Sequence, residues 1–195
     1  MNASSRLVAS TQDLLWERGY VGTSPKAIQQ RAQAGQGSMY HHFTGKADLA
    51  ATAVRLTAEQ MRAQAERMLS GEGTATERIS AYLRRQRDAL RGCRLGGLTQ
   101  DPDVVTDERL RAPIEATFHW LTRRIAEIVE DGKRAGELPA DLDATRTATA
   151  IIATLQGGYV LARAANAAEP FTDAAEGILA LLTHLAVPAD SPPTD

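Results

Sequence analysis

Apolar residues recur along most of this chain at intervals of three and four positions, the spacing that collects them on one face of an α-helix. The alternating apolar and polar runs expected of half-buried strands are missing, whereas Ala, Leu, Arg, Glu and Gln dominate the long segments. The pattern therefore predicts an all-α protein.

Short helices separated by tight turns are predicted at the start of the chain. Their expected spans are 4–18, 26–32 and 36–42. Gly19 ends the first helix, and Thr23-Ser24-Pro25 supplies the N-cap and first-turn proline of the second. A long fourth helix is expected to start from Thr44 as its cap, with Asp48 near its positive end, and to reach a glycine break at 71–73.

Longer helices are predicted in the remainder. One starts at Thr74 or Thr76 and stops near Gly92, a second runs from Val104 or Asp107 to Ala135 and is ended or kinked in an early turn by Pro113, and two more are marked by apolar residues over 142–159 and 178–185. The Pro-, Ser- and Asp-rich end predicts a disordered tail. The chain therefore divides into a head over 1–46, a body over 47–187 and a tail over 188–195.

The charge is distributed unevenly between these parts. The net charge of −2 argues against a nucleic-acid binder until it is divided along the chain. The head holds five basic and two acidic side chains, so the body carries the acidic excess. A small basic head on an acidic body is an arrangement suited to binding a polyanion.

Three short helices, the third about two turns long, form the arrangement in which one helix braces and the next enters a DNA major groove. The third segment reads Gln36-Gly37-Ser38-Met39-Tyr40-His41-His42, in which the small residues permit close approach and the polar ones can bond base edges or phosphates. Met39 and Phe43 are expected in the core. Lys46, in the first turn of the fourth helix, combines a cation with free backbone N–H groups as a phosphate clamp. The DNA-binding candidates are Thr23, Lys26, Gln36, Gly37, Ser38, Tyr40, His41, His42 and Lys46.

The head resembles the TetR/AcrR repressors, a family of helix-turn-helix regulators. The resemblance is carried by Leu7, Leu14-Leu15, Gly19-Tyr20, Thr23-Ser24, Ile28, Ala32, Gly37 to Phe43, Lys46 and Leu49. A weaker one, over Gly92 to Leu98, points to the LmrA/YxaF-like subgroup. Relatives usually have Gly where Gln33 stands and often Ser, Thr or Pro where Gly35 stands, so we expect Gly35 to supply the permissive backbone of this turn.

The resemblance implies a ligand-responsive repressor. Its expected partners are palindromic operator DNA, a second copy of the chain joined through the last two long helices, and an apolar or aromatic small-molecule inducer held in a cavity of the body. An apolar wall with a few polar groups is the expected mix for such a cavity. The candidate lining residues are Leu98, Phe118, Trp120, Leu121, Ile152, Gln156 and Tyr159.

Several features have competing interpretations. The Arg84-Arg85, Arg87, Arg91, Arg94 run favours the solvated face of a helix, with Leu90 on its buried face, over a second nucleic-acid patch. Cys93 fits a small buried residue better than an oxidant or electrophile sensor. Gly157-Gly158 favours a close helix crossing at the dimer interface, with a local kink as the alternative.

Other functions find little support. Cys93 is the single cysteine, which excludes a disulfide within the chain, and His41-His42 has no acidic partner pattern, so neither a metal nor a cofactor is expected. No catalytic constellation supports an enzyme. Without a signal-like start or an apolar run of about 18 residues, we expect a cytoplasmic protein away from membranes. An activator of the same fold and a helical small-molecule-binding protein that has lost DNA binding are the alternatives.

Overall fold

The computed structural model describes residues 2–186, and these form nine α-helices, one short 3-10 helix and no strand. The helices are α1 (Ala3–Arg18), α2 (Pro25–Ala32), α3 (Gln36–His42), α4 (Lys46–Leu69), α5 (Ala75–Arg84), α6 (Pro102–Thr106), α7 (Glu108–Arg134), α8 (Ala144–Ala165) and α9 (Glu169–Leu185), with the 3-10 helix at Gly96–Gln100. The all-α prediction is confirmed. The predicted disordered tail lies outside the described residues.

Two compact units make up the described chain. The first contains the residues up to Met61 together with Arg91–Thr117, and the second contains Arg62–Leu90 and the residues from Phe118 onward. This grouping differs from the sequence-based division at residue 46, which stays a prediction. The first unit has a core of aliphatic and sulfur side chains that are at most 1% exposed, namely Leu7, Leu14, Ile28, Met39 and Leu49. Burying each of these stabilises the unit by roughly 1.5–3 kcal/mol before entropy is counted.

The turn between α2 and α3 differs from the expectation. Gln33, not Gly35, adopts the left-handed conformation, with φ of 49° and ψ of 47°. This conformation lets the Ala34 N–H donate to the Gln29 carbonyl oxygen at 3.0 Å, which closes the end of α2. Gly35 has φ of −70° and ψ of 159°, a region open to any residue, so the expected role of Gly35 was wrong.

Replacing Gln33 by Gly is expected to raise the free energy of unfolding by about 1 kcal/mol, because a residue with a Cβ is strained in the left-handed region. Urea unfolding followed by circular dichroism measures the change. The control is Gln30→Gly, at an exposed position inside α2, which should lower the free energy of unfolding by a similar amount. If Gln33→Gly is no more stable than the wild type, the strain assigned to this turn is absent.

The cap of helix α4 lies one residue later than predicted. Its first residue is Lys46, and the carbonyl of Gly45 accepts the Leu49 N–H at 3.2 Å, so Gly45 and not Thr44 occupies the cap position. The carboxylate of Asp48 instead accepts the Thr44 N–H at 3.0 Å. A carboxylate in this first turn also stabilises the positive end of the helix.

Helix α5 ends at Arg84 rather than near Gly92. Thr74, one of the two predicted starts, caps the helix. Its hydroxyl accepts the Glu77 N–H, and the Glu77 carboxylate accepts the Thr74 N–H. At its other end the Arg87 guanidinium folds back and donates to the carbonyl oxygens of Tyr82 and Leu83, both at 2.7 Å. These bonds satisfy acceptors that the helix leaves unpaired.

The remaining helices also refine the predictions. α7 continues through Pro113 instead of stopping there, and the Pro113 carbonyl accepts the Thr117 hydroxyl at 2.8 Å. α8 and α9 pack closely at Gly158, where an added Cβ would lie 3.2 Å from Phe171 Cδ2 and 3.3 Å from Ala174 Cβ. The predicted close crossing therefore exists at Gly158, but it joins two helices of one chain. Gly157 faces open space.

Candidate functional site

Helix α3 presents one buried side and one exposed side. Met39 is fully buried and Phe43 is 8% exposed, as predicted, whereas Tyr40 is 51% exposed. At about 100° per residue, Gly37 and His41 lie on the side of the helix opposite Met39. Nothing lies within 4 Å of a Cβ built on Gly37. The outward side of α3 is therefore open, and the lack of a side chain at Gly37 allows close approach to a flat or grooved partner.

The other α3 candidates flank this open centre. Gln36, His41 and His42 are exposed and Ser38 is partly exposed. The imidazole rings of His41 and His42 lie 4.9 Å apart, edge to face. The described residues hold no group of three His, Cys, Asp or Glu side chains suited to a metal ion.

Lys46 is positioned by an aromatic ring that the sequence argument did not assign to the site. Its Nζ lies 4.0 Å from the centroid of the Tyr20 ring, a cation–π contact. Burial, followed by the charges of Asp107 and Asp103, raises the pKa of Tyr20, so the phenol stays neutral beside the ammonium group. The signal for this role was present, because Gly19-Tyr20 belongs to the family resemblance.

Thr23 is not available for a phosphate contact. It is 1% exposed, and its hydroxyl donates to the Gly19 carbonyl oxygen at 2.7 Å. Ser24, the next residue, caps α2 by accepting the Ala27 N–H at 3.1 Å. Lys26 on the same helix is exposed and remains a candidate. Thr23 is therefore corrected from a binding residue to one that closes the end of α1.

Two of the basic groups in the first unit serve the fold. Arg31 pairs with Glu17 through two bonds of 2.8 Å, and the hydrogen bond from Arg31 lowers the pKa of the Glu17 carboxyl. Arg6 Nε donates to the Ala32 carbonyl oxygen at 3.0 Å and so holds the end of α2. Arg6 and Arg31 are thus engaged within the fold, and Lys26 and Lys46 remain candidates for contact with DNA.

Trp16 is enclosed by two arginines from outside the head. The guanidinium carbons of Arg91 and Arg94 lie 3.5 and 4.1 Å from centroids of the indole. The indole Nε1–H donates to the Gly92 carbonyl oxygen at 3.0 Å. The arginine run is therefore not one solvated helix face. Leu90, expected on the buried side of that helix, is 43% exposed.

The cysteine between these arginines is buried. Cys93 is 8% exposed, and its sulfur accepts the Gly96 N–H at 3.2 Å. This burial agrees with the interpretation of Cys93 as a small core residue. A sensing role for the thiol stays the less favoured alternative.

The candidate ligand-lining residues divide between the units. Leu98 belongs to the first unit and is 3% exposed. The others belong to the second unit, in which Leu121, Ile152 and Tyr159 are buried and Phe118, Trp120 and Gln156 are partly exposed. The Tyr159 ring packs on Phe171 with their centroids 4.6 Å apart. The inducer cavity stays a prediction.

Two family models match the chain. The model described as bacterial regulatory proteins, tetR family, matches residues 7–53, and the tetracyclin repressor-like C-terminal domain matches residues 74–178, more than half of the chain. The chain belongs to the TetR family. It is therefore a DNA-binding transcriptional regulator, and α2 and α3 are the helix-turn-helix of this TetR-family protein. The LmrA/YxaF-like subgroup stays a prediction.

Similar proteins agree with this assignment. The transcriptional regulator AcuR of Cereibacter sphaeroides is 26% identical over 168 residues, which cover 83% of this chain and 76% of AcuR. A TetR-family regulator from Agrobacterium tumefaciens has the same fold, with a TM-score of 0.84, 22% identity, and coverage of 93% of this chain and 97% of that one.

A solved complex within the family contains DNA. A cysteine mutant of the TetR-family regulator CifR, bound to a 26-base-pair operator duplex, has the same fold at a TM-score of 0.76, 24% identity, and coverage of 91% of this chain and 95% of that one. Over residues 2–186 no helix of this TetR-family chain is both long and apolar enough to cross a membrane.

Proposed function

We propose that this protein is a repressor that binds a palindromic operator as a homodimer and is released from it by a small-molecule inducer. The observation that carries the DNA-binding part is the exposed side of α3, opposite the buried Met39, with Gly37 at its centre. Such a helix fits the major groove, in which small residues allow contact with base edges. The proposed DNA contacts are Lys26, Gln36, Gly37, Ser38, Tyr40, His41, His42 and Lys46.

Dimerisation is supported by apolar side chains on the outside of α8 and α9. They belong to one compact unit and are Val160, 66% exposed, Leu161, 55%, Leu181, 64%, and Leu185, 41%. Large apolar side chains left exposed on two helices of one unit are typical of protein interfaces, and a two-fold dimer lets two recognition helices read two half-sites. Leu182 is 3% exposed within the chain, so it belongs to the core of the unit and not to this face.

Release by an inducer requires that the small molecule bind the two conformations of the protein with different affinities. The residues predicted to line its cavity, which include Trp120, Gln156 and Tyr159, are mostly apolar or aromatic with a few polar groups, and the proposed inducer is an apolar or aromatic molecule. We propose that the protein lies in the cytoplasm and that it is not an enzyme.

Lys46 and Gln36 should respond differently to truncation if α3 reads bases. Lys46→Ala is expected to weaken binding to every duplex alike and to reduce the salt slope by about one charge per half-site, because its ammonium contacts a phosphate. Gln36→Ala is expected to cost roughly 1–3 kcal/mol per half-site on the operator and little on scrambled DNA. Fluorescence anisotropy titrations of both duplexes at several salt concentrations measure these effects.

The two variants control for each other, since both are single truncations to Ala on adjacent elements of the same unit. Equal losses on operator and scrambled DNA for Gln36→Ala would show that it does not read bases. Retention of the full salt slope by Lys46→Ala would remove Lys46 from the phosphate contacts.

A further inference from the structure

A cavity of about 390 Å³ lies in the second unit, between the end of α5 and the start of α9. Its volume is within the range of small-molecule sites. The walls that bear on its chemistry are Leu83, Arg84, Arg85, Arg87, Phe171 and Glu176. None of them is among the residues predicted to line the inducer cavity.

The lining carries more positive than negative charge. Arg84 and Glu176 neutralise each other through two bonds of 2.8 Å. Arg87 donates to the uncharged carbonyls of Tyr82, Leu83 and Arg85, so these bonds hold its guanidinium in place without neutralising it. Burial, followed by repulsion from Arg85, lowers the pKa of Arg87. Two like charges are thus held close together at one wall of the cavity.

Arg85, which also lines the cavity, has a donor that lacks a partner within residues 2–186. Its Nε is buried and has no hydrogen-bond partner among the described residues. A buried donor without a partner costs free energy, roughly 1–3 kcal/mol, and an acceptor that draws the Arg85 side chain into the cavity would recover that cost. Because a guanidinium presents its N–H groups in a planar fork, a carboxylate is the acceptor that fits it best.

Aromatic rings lie beside these cations, and one of them, Phe171, lines the cavity. The Arg87 guanidinium lies 5.1 Å from the Tyr82 ring centroid and 5.6 Å from that of Phe171, and Arg85 lies 5.3 Å from Tyr82. Phe171 is itself fixed by the close approach of Gly158 and by the Tyr159 ring. The cavity therefore combines fixed cations with an apolar wall of Leu83 and Phe171.

We propose that this cavity binds a small organic carboxylate with an apolar or aromatic body. The Arg85 side chain turns into the cavity so that its guanidinium donates to the carboxylate, which also lies in the field of Arg87, while the body packs on Leu83 and Phe171. The proposal does not depend on operator binding or induction, because the site lies within one unit and binding to it is measured without DNA.

Calorimetric titration of the full-length protein with benzoate tests the site. Benzoate is expected to bind, while benzyl alcohol, its neutral counterpart, and acetate, which lacks the aromatic body, should each bind at least about tenfold more weakly. Arg85→Gln should weaken benzoate binding by roughly tenfold or more, because it removes a hydrogen bond to a charged group. The matched control is Arg134→Gln, an exposed arginine of α7 in the same unit, which should leave the affinity unchanged.

A second variant keeps the test valid if Arg85→Gln fails to fold. Thr172→Asp, at an exposed position that lines the cavity, adds a negative charge and should also weaken benzoate binding. Absence of heat with benzoate, equal binding of benzyl alcohol, or unchanged affinity in a folded variant would each overturn the proposal. Both variants should bind DNA normally in the absence of benzoate, so a loss of DNA binding would concern the proposed repressor function instead.

Discussion

Leu181→Glu is expected to convert the protein from dimer to monomer and to lower its operator affinity by roughly a hundredfold or more. The side chain is 64% exposed in the chain, so a charge there leaves the fold intact but would have to be buried without a partner in the proposed interface. A monomer presents one α3 to DNA and loses the contacts of the second half-site. Sedimentation velocity and operator titration measure both effects.

The matched control is Leu90→Glu, because Leu90 is also an exposed leucine of the second unit, at 43%, but lies outside α8 and α9. This variant should remain dimeric and bind the operator normally. A dimeric Leu181→Glu protein would place the interface elsewhere. A monomeric protein that keeps full operator affinity would refute the proposed dimeric mode of binding.

Gly37→Leu is expected to abolish operator recognition while leaving the protein at least as stable as the wild type. Space is available in the folded protein, since nothing lies within 4 Å of a Cβ at this position, and replacing a helical Gly contributes about 0.5 kcal/mol of stability. In the groove, however, the new side chain holds α3 away from the base edges in both half-sites. We expect at least about a hundredfold loss of operator affinity.

Gly97→Leu is the control for this change, because Gly97 is another exposed glycine of the first unit with open space around it. It should bind the operator normally. Operator binding and thermal unfolding are measured on all three proteins. Normal recognition by Gly37→Leu would mean that the outward side of α3 does not face the groove.

The sequence best predicted those features of the fold that depend on one helix alone. The span of α3 was predicted to the residue, and so was the burial of Met39 and Phe43, because apolar spacing acts over short distances. The family resemblance then indicated that the chain is similar to DNA-binding regulators. The end of α5 could not be predicted in this way, since it depends on Arg87 folding back onto carbonyls that no local pattern identifies.

Long-range contacts account for the other differences. Thr23 was predicted to bind DNA, but its burial and its hydrogen bond to the Gly19 carbonyl at the end of α1 decide its role. Leu182 and Leu181 are adjacent in an apolar helix, and only packing shows that one is internal and the other external. Gln33 adopts the left-handed conformation despite its Cβ because the hydrogen bond from the Ala34 N–H to the Gln29 carbonyl oxygen requires it.

The enclosure of Trp16 bears on how hybrid regulators should be built from this chain. A graft that joins residues 1–46 to another protein's body would leave behind Arg91, Gly92 and Arg94, the partners of the indole. It would also lose Asp101, whose carboxylate accepts the Val21 N–H at 2.8 Å. The part of the chain that can be transplanted is therefore discontinuous in sequence. A hybrid protein has to include residues 91–101 together with residues 1–46 if it is to keep the operator preference of this protein.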